Sequence, residues 1–242
     1  MCTISWLAGG NDLTVMFNRD ESVARPAAPP PVVHAGRRPF LAPRDPAGGG
    51  TWLAVRADGT VLALLNNYHD TADVDDPLSR GGIIWQLAGA ADPDAARERI
   101  AASLNRYPPF HLLTIRYARV RRDTWNGRRL ESFREPMPHG MFTTSSAAGA
   151  QVAAGRRAAF ASLTNRRRPL TARHLRIFHD GFGIDDPAAS VRMDRGDRRT
   201  VSQSRIRVTS TTARFSYRIC HGRERAPDEW THSGLTLQPP AQ

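Results

Sequence analysis

The apolar positions at the start of the chain predict a β-hairpin. Residues 2–7 are typical of a strand in which every second side chain, beginning with Cys2, faces the same side. Gly-Gly-Asn-Asp at 9–12 indicates a turn, and residues 13–17 are predicted to run back as the second strand.

A second hairpin is predicted after a proline-rich loop. The loop contains Pro29-Pro30-Pro31, which cannot supply backbone donors to a sheet. Residues 52–55 and 61–65 then flank Asp58-Gly59, a typical turn pair. Both strands are nearly continuous in apolar residues, so we expect this hairpin to be covered on both faces.

The middle of the chain has helical spacing. Residues 81–105 are predicted as two helical segments, with Asp92-Pro93 as the cap and first-turn proline of the second. Residues 150–163 and 171–180 are predicted as further helices.

Further strands follow the first helical region and return near the end of the chain. They are predicted over residues 111–120, 130–133, 190–193, 201–208 and 213–219, with Asn126-Gly127 as a hairpin turn. Strands, then helices, then strands again predict a layered α+β fold with mostly antiparallel neighbours. The sequence has enough apolar residues for one core, so we expect a single domain over residues 1–221 and a loose, Pro- and charge-rich tail over 222–242.

Composition excludes several kinds of chemistry. All 34 basic residues are arginine, so the chain has no lysine for a Walker-type phosphate loop, a Schiff base or pyridoxal phosphate. Two cysteines allow neither a disulfide framework nor a cysteine zinc cluster, and the eight histidines are dispersed. We therefore expect no metal and no organic cofactor.

The net charge of +11 is unevenly distributed. Residues 1–100 hold 9 Arg against 12 Asp and Glu, whereas residues 101–242 hold 25 against 11. The clusters at 166–168 and 121–122 could attract phosphates. Because aromatic residues are not interleaved with the arginines, we interpret them as a solvated face and expect no nucleic-acid partner. An anionic group on a small-molecule substrate or ligand remains compatible with this charge.

No membrane span is expected, because no apolar run approaches the ~20 residues that a membrane helix needs. Asn11 and Asp12 interrupt the first apolar stretch, and no basic region precedes it, so we expect no secretory signal and a cytoplasmic protein. The sequence does not indicate an oligomeric state.

Cys2 is a candidate nucleophile. Methionine aminopeptidase removes Met1 when the next residue is small, which would leave a cysteine with both a thiol and a free α-amine. The amine has an ordinary pKa of about 7.7–8.0 and can accept a proton near neutral pH. One residue would then hold nucleophile and base together. A position-2 cysteine with no role is the alternative, since chain termini are usually mobile.

The polar block Asn18-Arg19-Asp20-Glu21 strengthens the catalytic interpretation. It ends the second predicted strand, so pairing of the hairpin would bring it to the start of the first strand, where Cys2 lies. Arg19 there would lower the thiol pKa, and Asp20 could orient the α-amine. Strand alternation puts Arg19 and Asp20 on opposite faces, so their convergence requires a bulge or a strand end.

These features resemble the NRDE family, whose eukaryotic members are the transport and Golgi organisation 2 proteins. The resemblance spans roughly the whole domain and is carried by Met1-Cys2-Thr3, Asn18-Arg19-Asp20-Glu21, Arg25-Pro26, Gly49-Gly50-Thr51-Trp52-Leu53, Asn67-Tyr68, Ser79-Arg80-Gly81, Pro109-Phe110-His111-Leu112-Leu113 and Arg199-Thr200. The family is in turn similar to N-terminal nucleophile hydrolases, particularly bile-salt hydrolases and penicillin V acylases. The resemblance implies a four-layer αββα sandwich.

The resemblance also implies site residues. They are Cys2 as nucleophile, Arg19 and Asp20 on the next strand, Asn67 as oxyanion donor with Asn66 as the alternative, and Arg199. The related hydrolases separate the arginine from the aspartate, whereas here the two are adjacent. Those enzymes also use a mid-chain asparagine for the oxyanion. The corresponding stretch here is Thr-Thr-Ser-Ser at 143–146, so that donor is either missing or replaced by a hydroxyl.

Two functions follow from the resemblance. The first is a cysteine N-terminal nucleophile hydrolase that cleaves a linear amide or related acyl bond through an acyl-enzyme on Cys2. The second is a non-catalytic carrier of haem or an acyl- or lipid-type ligand on the same fold, because eukaryotic members are connected with haem trafficking and lipid or acyl-CoA homeostasis. Trp52 is interpreted as a packing residue, and Gly48-Gly49-Gly50 as a point of sharp turning or close backbone approach.

Overall fold

The computed structural model describes residues 2–36, 38–117, 119–146, 148–165, 169–221 and 229–238. Met1, the arginine cluster at 166–168 and the tail segments 222–228 and 239–242 lie outside the described residues. The strands are β1 (Cys2–Gly9), β2 (Asp12–Ser22), β3 (Val32–His34), β4 (Phe40–Ala42), β5 (Leu53–Arg56), β6 (Val61–Asn66), β7 (Phe110–Arg116), β8 (Arg119–Trp125), β9 (Leu130–Arg134), β10 (His139–Thr144), β11 (Arg198–Val208), β12 (Thr212–Ile219) and β13 (Thr231–Thr236). The α-helices are α1 (Gly81–Gly89), α2 (Pro93–Ala101), α3 (Gly149–Thr164) and α4 (Ala172–His179).

The strands form two sheets in which every pairing between these strands is antiparallel. The six-stranded sheet has the order β10-β1-β2-β11-β12-β13, and the seven-stranded sheet runs from β3 to β9 in chain order. β1 and β2 are therefore interior strands, which holds the start of the described chain in a sheet.

Three apolar clusters separate four layers. The largest cluster lies between the two sheets and includes Trp6, Phe17, Leu65 and Phe215. A second joins the outer face of the seven-stranded sheet to α1 and α2, and a third joins the six-stranded sheet to α3 and α4. This confirms the expected αββα sandwich.

Both predicted hairpins are present. In the first, Gly9 pairs with Asp12 across the turn, and Cys2, Ile4 and Trp6 face the core between the sheets. In the second, β5 pairs with β6 around Gly59, whose φ of +80° suits glycine. β6 contributes alternate residues to the inter-sheet cluster and to the cluster under α1, which explains its continuous apolar sequence.

The predicted interruption between the first two helices is also present. The Asp92 side chain accepts hydrogen bonds from the backbone N–H groups of Asp94 and Ala95, at 2.9 and 3.1 Å, and Pro93 begins α2. None of the helices in the described part of the chain is long and apolar enough to cross a membrane.

The strand predicted over residues 190–193 is wrong. These residues form no strand, although Val191 and Met193 are buried. Side chains satisfy their backbone instead: the carbonyl of Ser190 accepts from Arg156 Nη2 at 2.6 Å, and that of Val191 accepts from Asn18 Nδ2 at 2.9 Å. The segment therefore packs as an irregular strap over the six-stranded sheet.

Two other boundaries differ from the prediction. The strand predicted over residues 111–120 is two strands, because β7 ends at Arg116 and β8 begins at Arg119. The tail predicted as loose contains β13, which pairs with β12 from Thr212–Thr236 to Tyr217–Thr231, so this part of the chain is ordered by ladder hydrogen bonds.

Candidate active site

The first hairpin places Cys2 directly opposite Arg19. The two residues are cross-strand partners in the β1–β2 register, so their side chains lie on the same face of the sheet. Both line a cavity of about 500 Å³, whose wall is completed from the seven-stranded sheet by Trp52, Leu64 and Asn66. The cavity is thus built by the facing layers of the sandwich and has the size of a small-molecule site.

Arg19 is buried and held from several sides. Its guanidinium lies 4.2 Å from the ring centroid of Trp52, and its Nη2 lies 3.5 Å from Asp45 Oδ2 and 3.8 Å from Glu21 Oε2. Trp52 therefore packs in the core, as predicted, and also supports a charged wall of the cavity. These contacts fix the orientation of the guanidinium beside Cys2.

Asp45 links Arg19 to Arg25. Arg25 donates from Nη2 and Nε to the two oxygens of Asp45, at 2.5 and 3.3 Å. Burial raises the pKa of Asp45, but the hydrogen bonds from Arg25 and the charge of Arg19 outweigh it, and the pKa lies below its ordinary value. Asp45 is therefore an ionised link between two arginines.

Asp20 lies next to Arg19 but its carboxylate is held by groups near the helix layer. Thr200 Oγ1 donates to its Oδ1 at 2.7 Å, and Arg156 Nη1 of α3 lies 3.8 Å from its Oδ2. Regular strand alternation would put Arg19 and Asp20 on opposite faces of β2. The register of β2 with β11 shifts between Thr200 and Ser202, and such an irregularity is what the convergence of the two side chains requires. Cys2, Arg19 and Asp20 all line the same cavity.

The surroundings of Cys2 favour the neutral thiol. Burial raises the pKa of Cys2 to about 11, and the positive charge of Arg19 opposes this only in part. Arg19 does lower the thiol pKa, as expected, but burial raises it by more. Attack by this sulfur near neutral pH requires a base that removes the thiol proton.

Asn67 does not line the cavity. Its side chain donates to Asp70 Oδ2 at 2.7 Å, and its backbone N–H donates to the carbonyl of Pro109 at 3.2 Å. Asn66, the alternative, does line the cavity, and its Nδ2 donates to Tyr68 Oη at 3.0 Å. Asn66 rather than Asn67 therefore lines the same cavity as Cys2.

Arg199 is paired with Glu21 in the β2–β11 register but does not line the cavity. Its Nε is buried without a hydrogen-bond partner among the described residues. The preceding residue, Arg198, does line the cavity. Arg198, rather than the expected Arg199, therefore reaches the cavity, although the strand register pairs Arg199 with the cavity residue Glu21.

The Thr-Thr-Ser-Ser stretch at 143–146 corresponds to the mid-chain asparagine of the related hydrolases. Its two threonines lie at the end of β10, beside Cys2. Thr144 is the cross-strand partner of Cys2, and its Oγ1 is buried without a hydrogen-bond partner in the described part of the chain. Thr143 Oγ1 instead bonds Thr3 Oγ1 at 2.8 Å and the carbonyl of Cys2 at 3.3 Å. The hydroxyl of Thr143 is therefore held by hydrogen bonds within the sheet, whereas the hydroxyl of Thr144 has no hydrogen-bond partner among the described residues.

The glycine motif fixes the opposite wall. A Cβ on Gly50 would lie 2.3 Å from the carbonyl carbon of Gly81, so only glycine lets the start of α1 approach β5 this closely. The backbone N–H of Thr51 donates to the carbonyl of Gly81 at 3.2 Å across this contact. The close approach predicted for the glycines is confirmed, and it brings Arg80, just before α1, to the cavity.

Besides Arg198, sequence reasoning missed four residues of the site, namely Asp45, Tyr68, Arg80 and Arg156. Tyr68 and Arg80 lie in family motifs, which signalled them without giving a role. Asp45 and Arg156 carry no local signal, because each contacts its partners only through the folded layers.

Together, the two antiparallel sheets between helical layers and the cysteine at the head of an interior strand define an N-terminal nucleophile hydrolase fold. The structure is similar to two variants of the conjugated bile acid hydrolase from Clostridium perfringens, with TM-scores of 0.57 and 0.55 and identities of 11% and 12%. Each alignment covers 98% of this chain and 97% of the other. A Caenorhabditis elegans ortholog of N-acylethanolamine-hydrolyzing acid amidase aligns with a TM-score of 0.49 and 8% identity, over 85% of this chain and 92% of the other.

Within this fold, the chain belongs to the Transport and Golgi organisation 2 family, whose family model matches residues 1–151. That range contains β1 to β10, and hence Cys2, Arg19, Asp20 and the cavity wall from the seven-stranded sheet. No curated protein matches the sequence significantly.

Proposed function

We propose that this protein is a cysteine N-terminal nucleophile hydrolase that cleaves a linear amide or related acyl bond through an acyl-enzyme on Cys2. The observation that carries this proposal is the placement of Cys2 opposite Arg19 on one cavity of small-molecule size. The fold of the bile acid hydrolase, a protein whose name denotes cleavage of conjugated bile acids, supports it.

The first step needs the free α-amine that loss of Met1 would give Cys2. With the thiol pKa raised by burial, sulfur attacks only as its proton passes to a base, and the α-amine of the same residue is the nearest one. The S–C bond forms, the amine becomes an ammonium, and the carbonyl oxygen takes the negative charge. Asp20 lines the cavity and would hold this ammonium in place.

The second step releases the products. The tetrahedral intermediate collapses, the C–N bond breaks, and the leaving amine takes the proton from the α-ammonium. Water then loses a proton to the α-amine and attacks the thioester, and the S–C bond breaks as the thiol is restored. The protein thus returns to its starting state with one amide hydrolysed.

The oxyanion needs hydrogen-bond donors near Cys2. Two side chains are suitably placed for this role. Asn66 lines the cavity, and Thr144, whose hydroxyl has no described hydrogen-bond partner, lies on the strand next to Cys2. Arg19 would add positive charge on the same face. Asn67 and Arg199, which the family resemblance implies, would then act by supporting this wall from outside the cavity.

The experiment combines mass spectrometry with acyl-enzyme trapping. Purified protein is expected to lack Met1, and brief reaction with p-nitrophenyl hexanoate followed by acid quenching is expected to add one hexanoyl group. Cys2→Ala should abolish the adduct. Cys220→Ala is the matched control, because Cys220 is buried and does not line the cavity, and it should leave the adduct unchanged. Complete retention of Met1 would refute the amine as the base.

A non-catalytic carrier of haem or an acyl- or lipid-type ligand is the second candidate. Asn67 was expected to donate to the oxyanion but does not line the cavity, and this favours the carrier. Titration with haemin and with hexanoyl-coenzyme A, followed spectroscopically or by calorimetry, discriminates the two. Saturable binding that survives Cys2→Ala, together with no trapped acyl group in the wild type, would support the carrier.

A further inference from the structure

The charges around the cavity do not balance. The carboxylates of Glu21 and Asp45 are matched by the guanidinium groups of Arg19 and Arg25, all within 4.0 Å of a partner. Asp20 lies within 4.0 Å of Arg156 of α3. These groups form a neutral set. Arg198, which also lines the cavity, has its Nε 3.9 Å from Oδ2 of Asp197, so its charge is matched as well.

Arg80 is the exception on the opposite wall. It lines the cavity, and none of the described carboxylates lies within the 4.0 Å of an ion pair with it. Its Nη1 donates to the carbonyl of Pro109 at 3.0 Å, which anchors the side chain through one edge of the guanidinium. The cation is therefore held in place by a neutral acceptor.

The surroundings of Arg80 also interact with the nucleophile. Burial lowers the pKa of Arg80, and the negative charges of ionised Tyr68, Cys2 and Glu21 oppose this by attraction, although Glu21 is not within ion-pair distance. These four side chains are thus electrostatic neighbours around one cavity. A partly desolvated guanidinium attracts an anion far more strongly than an exposed one.

We propose that Arg80 binds a carboxylate of the substrate, so that the preferred substrate is an amide or related acyl compound with one negative charge close to the scissile bond. The guanidinium edge that Pro109 does not occupy presents N–H donors in the geometry that fits a carboxylate. This inference rests on the proposed function, because it assigns the ligand charge to a substrate of the Cys2 reaction.

A single negative charge fits the site better than a double one. Arg80 contributes one positive charge beyond the balanced set, and Glu21 and Asp45 line the same cavity. A phosphate monoester carries close to two negative charges at neutral pH, so its second charge would be repelled by these carboxylates. The site therefore selects a carboxylate over a phosphate.

Binding to a Cys2→Ala background tests the proposal without turnover. Calorimetry compares two matched pairs: N-hexanoylglycine with N-hexanoylglycinamide, and N-ethylglutaramic acid with its uncharged amide. In the first pair the carboxylate lies on the leaving amine, and in the second on the acyl group. At least one acid is expected to bind about tenfold more tightly than its amide. N-hexanoyl aminomethylphosphonate, measured at a pH above its second pKa so that it carries two negative charges, should bind more weakly than N-hexanoylglycine.

Variants then test whether Arg80 causes the tighter binding of the acid than of its amide. Arg80→Gln should remove this preference, while Arg80→Lys should keep part of it because the positive charge remains. Arg198→Gln is the matched control, since it removes the same charge from another cavity-lining arginine, and it should leave the preference at about tenfold. Melting temperatures of all variants check that each is folded. Equal affinities within both pairs, or equal losses in Arg80→Gln and Arg198→Gln, would overturn the proposal.

The outcome separates this inference from the hydrolase proposal. An acid preference that depends on Arg80, in a protein that forms no acyl-enzyme, would support the anion site and contradict the hydrolase. Acyl-enzyme formation with no acid preference would support the hydrolase and contradict the anion site.

Discussion

Arg156 of α3 and Asp20 of β2 form an ion pair in which both side chains are completely buried, with Nη1 of Arg156 3.8 Å from Oδ2 of Asp20. The same guanidinium donates to Thr3 Oγ1, Thr143 Oγ1 and the carbonyl of Ser190, at 2.8, 3.0 and 2.6 Å. It therefore joins the three strands that surround Cys2 to the helix layer. Burying two charges is unfavourable, and these extra hydrogen bonds are what offset it.

Arg156→Met should destabilise the fold by about 3–5 kcal/mol, because it leaves the carboxylate of Asp20 buried without its cation. Urea unfolding measures the loss. Arg207→Met is the control: Arg207 pairs with Asp12 at the surface, and its loss should change stability by less than about 1 kcal/mol. Adding Asp20→Asn to Arg156→Met should recover part of the stability. Equal effects of the two arginine substitutions would show that the buried pair has no special role.

Thr144→Val should separate activity from stability. The Thr144 hydroxyl is buried without a described partner, so its replacement by a methyl group should leave stability unchanged or slightly higher. If the hydroxyl donates to the oxyanion, the rate of hexanoyl-enzyme formation should fall about a hundredfold. Thr143→Val is the contrasting variant, because Thr143 Oγ1 bonds Thr3 and Arg156 and its loss should cost about 1–3 kcal/mol. An unchanged acylation rate in Thr144→Val would remove Thr144 from the mechanism.

The local part of the site was predictable from the sequence. Cys2 meets Arg19 because a tight turn between two alternating strands fixes their register, and both features are visible in adjacent residues. The same holds for Gly59 in its turn and for Asp92 at the start of α2. In each case the interaction is made by neighbours in the chain.

The rest depends on contacts between distant segments. Thr144 reaches Cys2 only because β10 adds to the edge of β1, and no local pattern specifies that pairing. The exclusion of Asn67 has a similar cause: it was expected in the cavity, but hydrogen bonds to Asp70 and Pro109 commit it to the turn after β6. Alternation likewise could not distinguish Arg198 from Arg199, because the β2–β11 register pairs Arg199 with the cavity residue Glu21 and yet Arg198 is the arginine that lines the cavity.

Acid should destabilise the protein through His179. This histidine is fully buried, with Ser5 Oγ and Asn18 Oδ1 each 2.8 Å from a ring nitrogen, and burial lowers its pKa to about 3. The unfolded chain, with an ordinary histidine pKa of about 6.5, then binds a proton that the folded chain excludes. The contribution of His179 is fully present above pH 6.5 and is lost as the pH falls, by about 1.4 kcal/mol per pH unit towards pH 4.

The measurement compares the pH dependence of unfolding in wild type and His179→Gln between pH 7.5 and 4.5. Other groups that titrate in this range, including His111 with its pKa lowered by burial to about 4, are common to both proteins and cancel in the difference. The wild type should lose about 1.4 kcal/mol per pH unit more than the variant below pH 6. Parallel curves would show that His179 takes up a proton in the folded state.

Gly50→Ala should displace the wall that carries Arg80. A Cβ at this position meets the backbone of Gly81 and Gly82 at 2.3 to 2.7 Å, so β5 and the start of α1 must separate. We expect a loss of about 1–3 kcal/mol in stability and a weaker preference for anionic ligands. Gly82→Ala is the matched control, because a Cβ there has no heavy atom within 4 Å and alanine favours a helix. If Gly50→Ala were as stable as Gly82→Ala and bound N-hexanoylglycine equally well, the glycine contact would not be what positions Arg80.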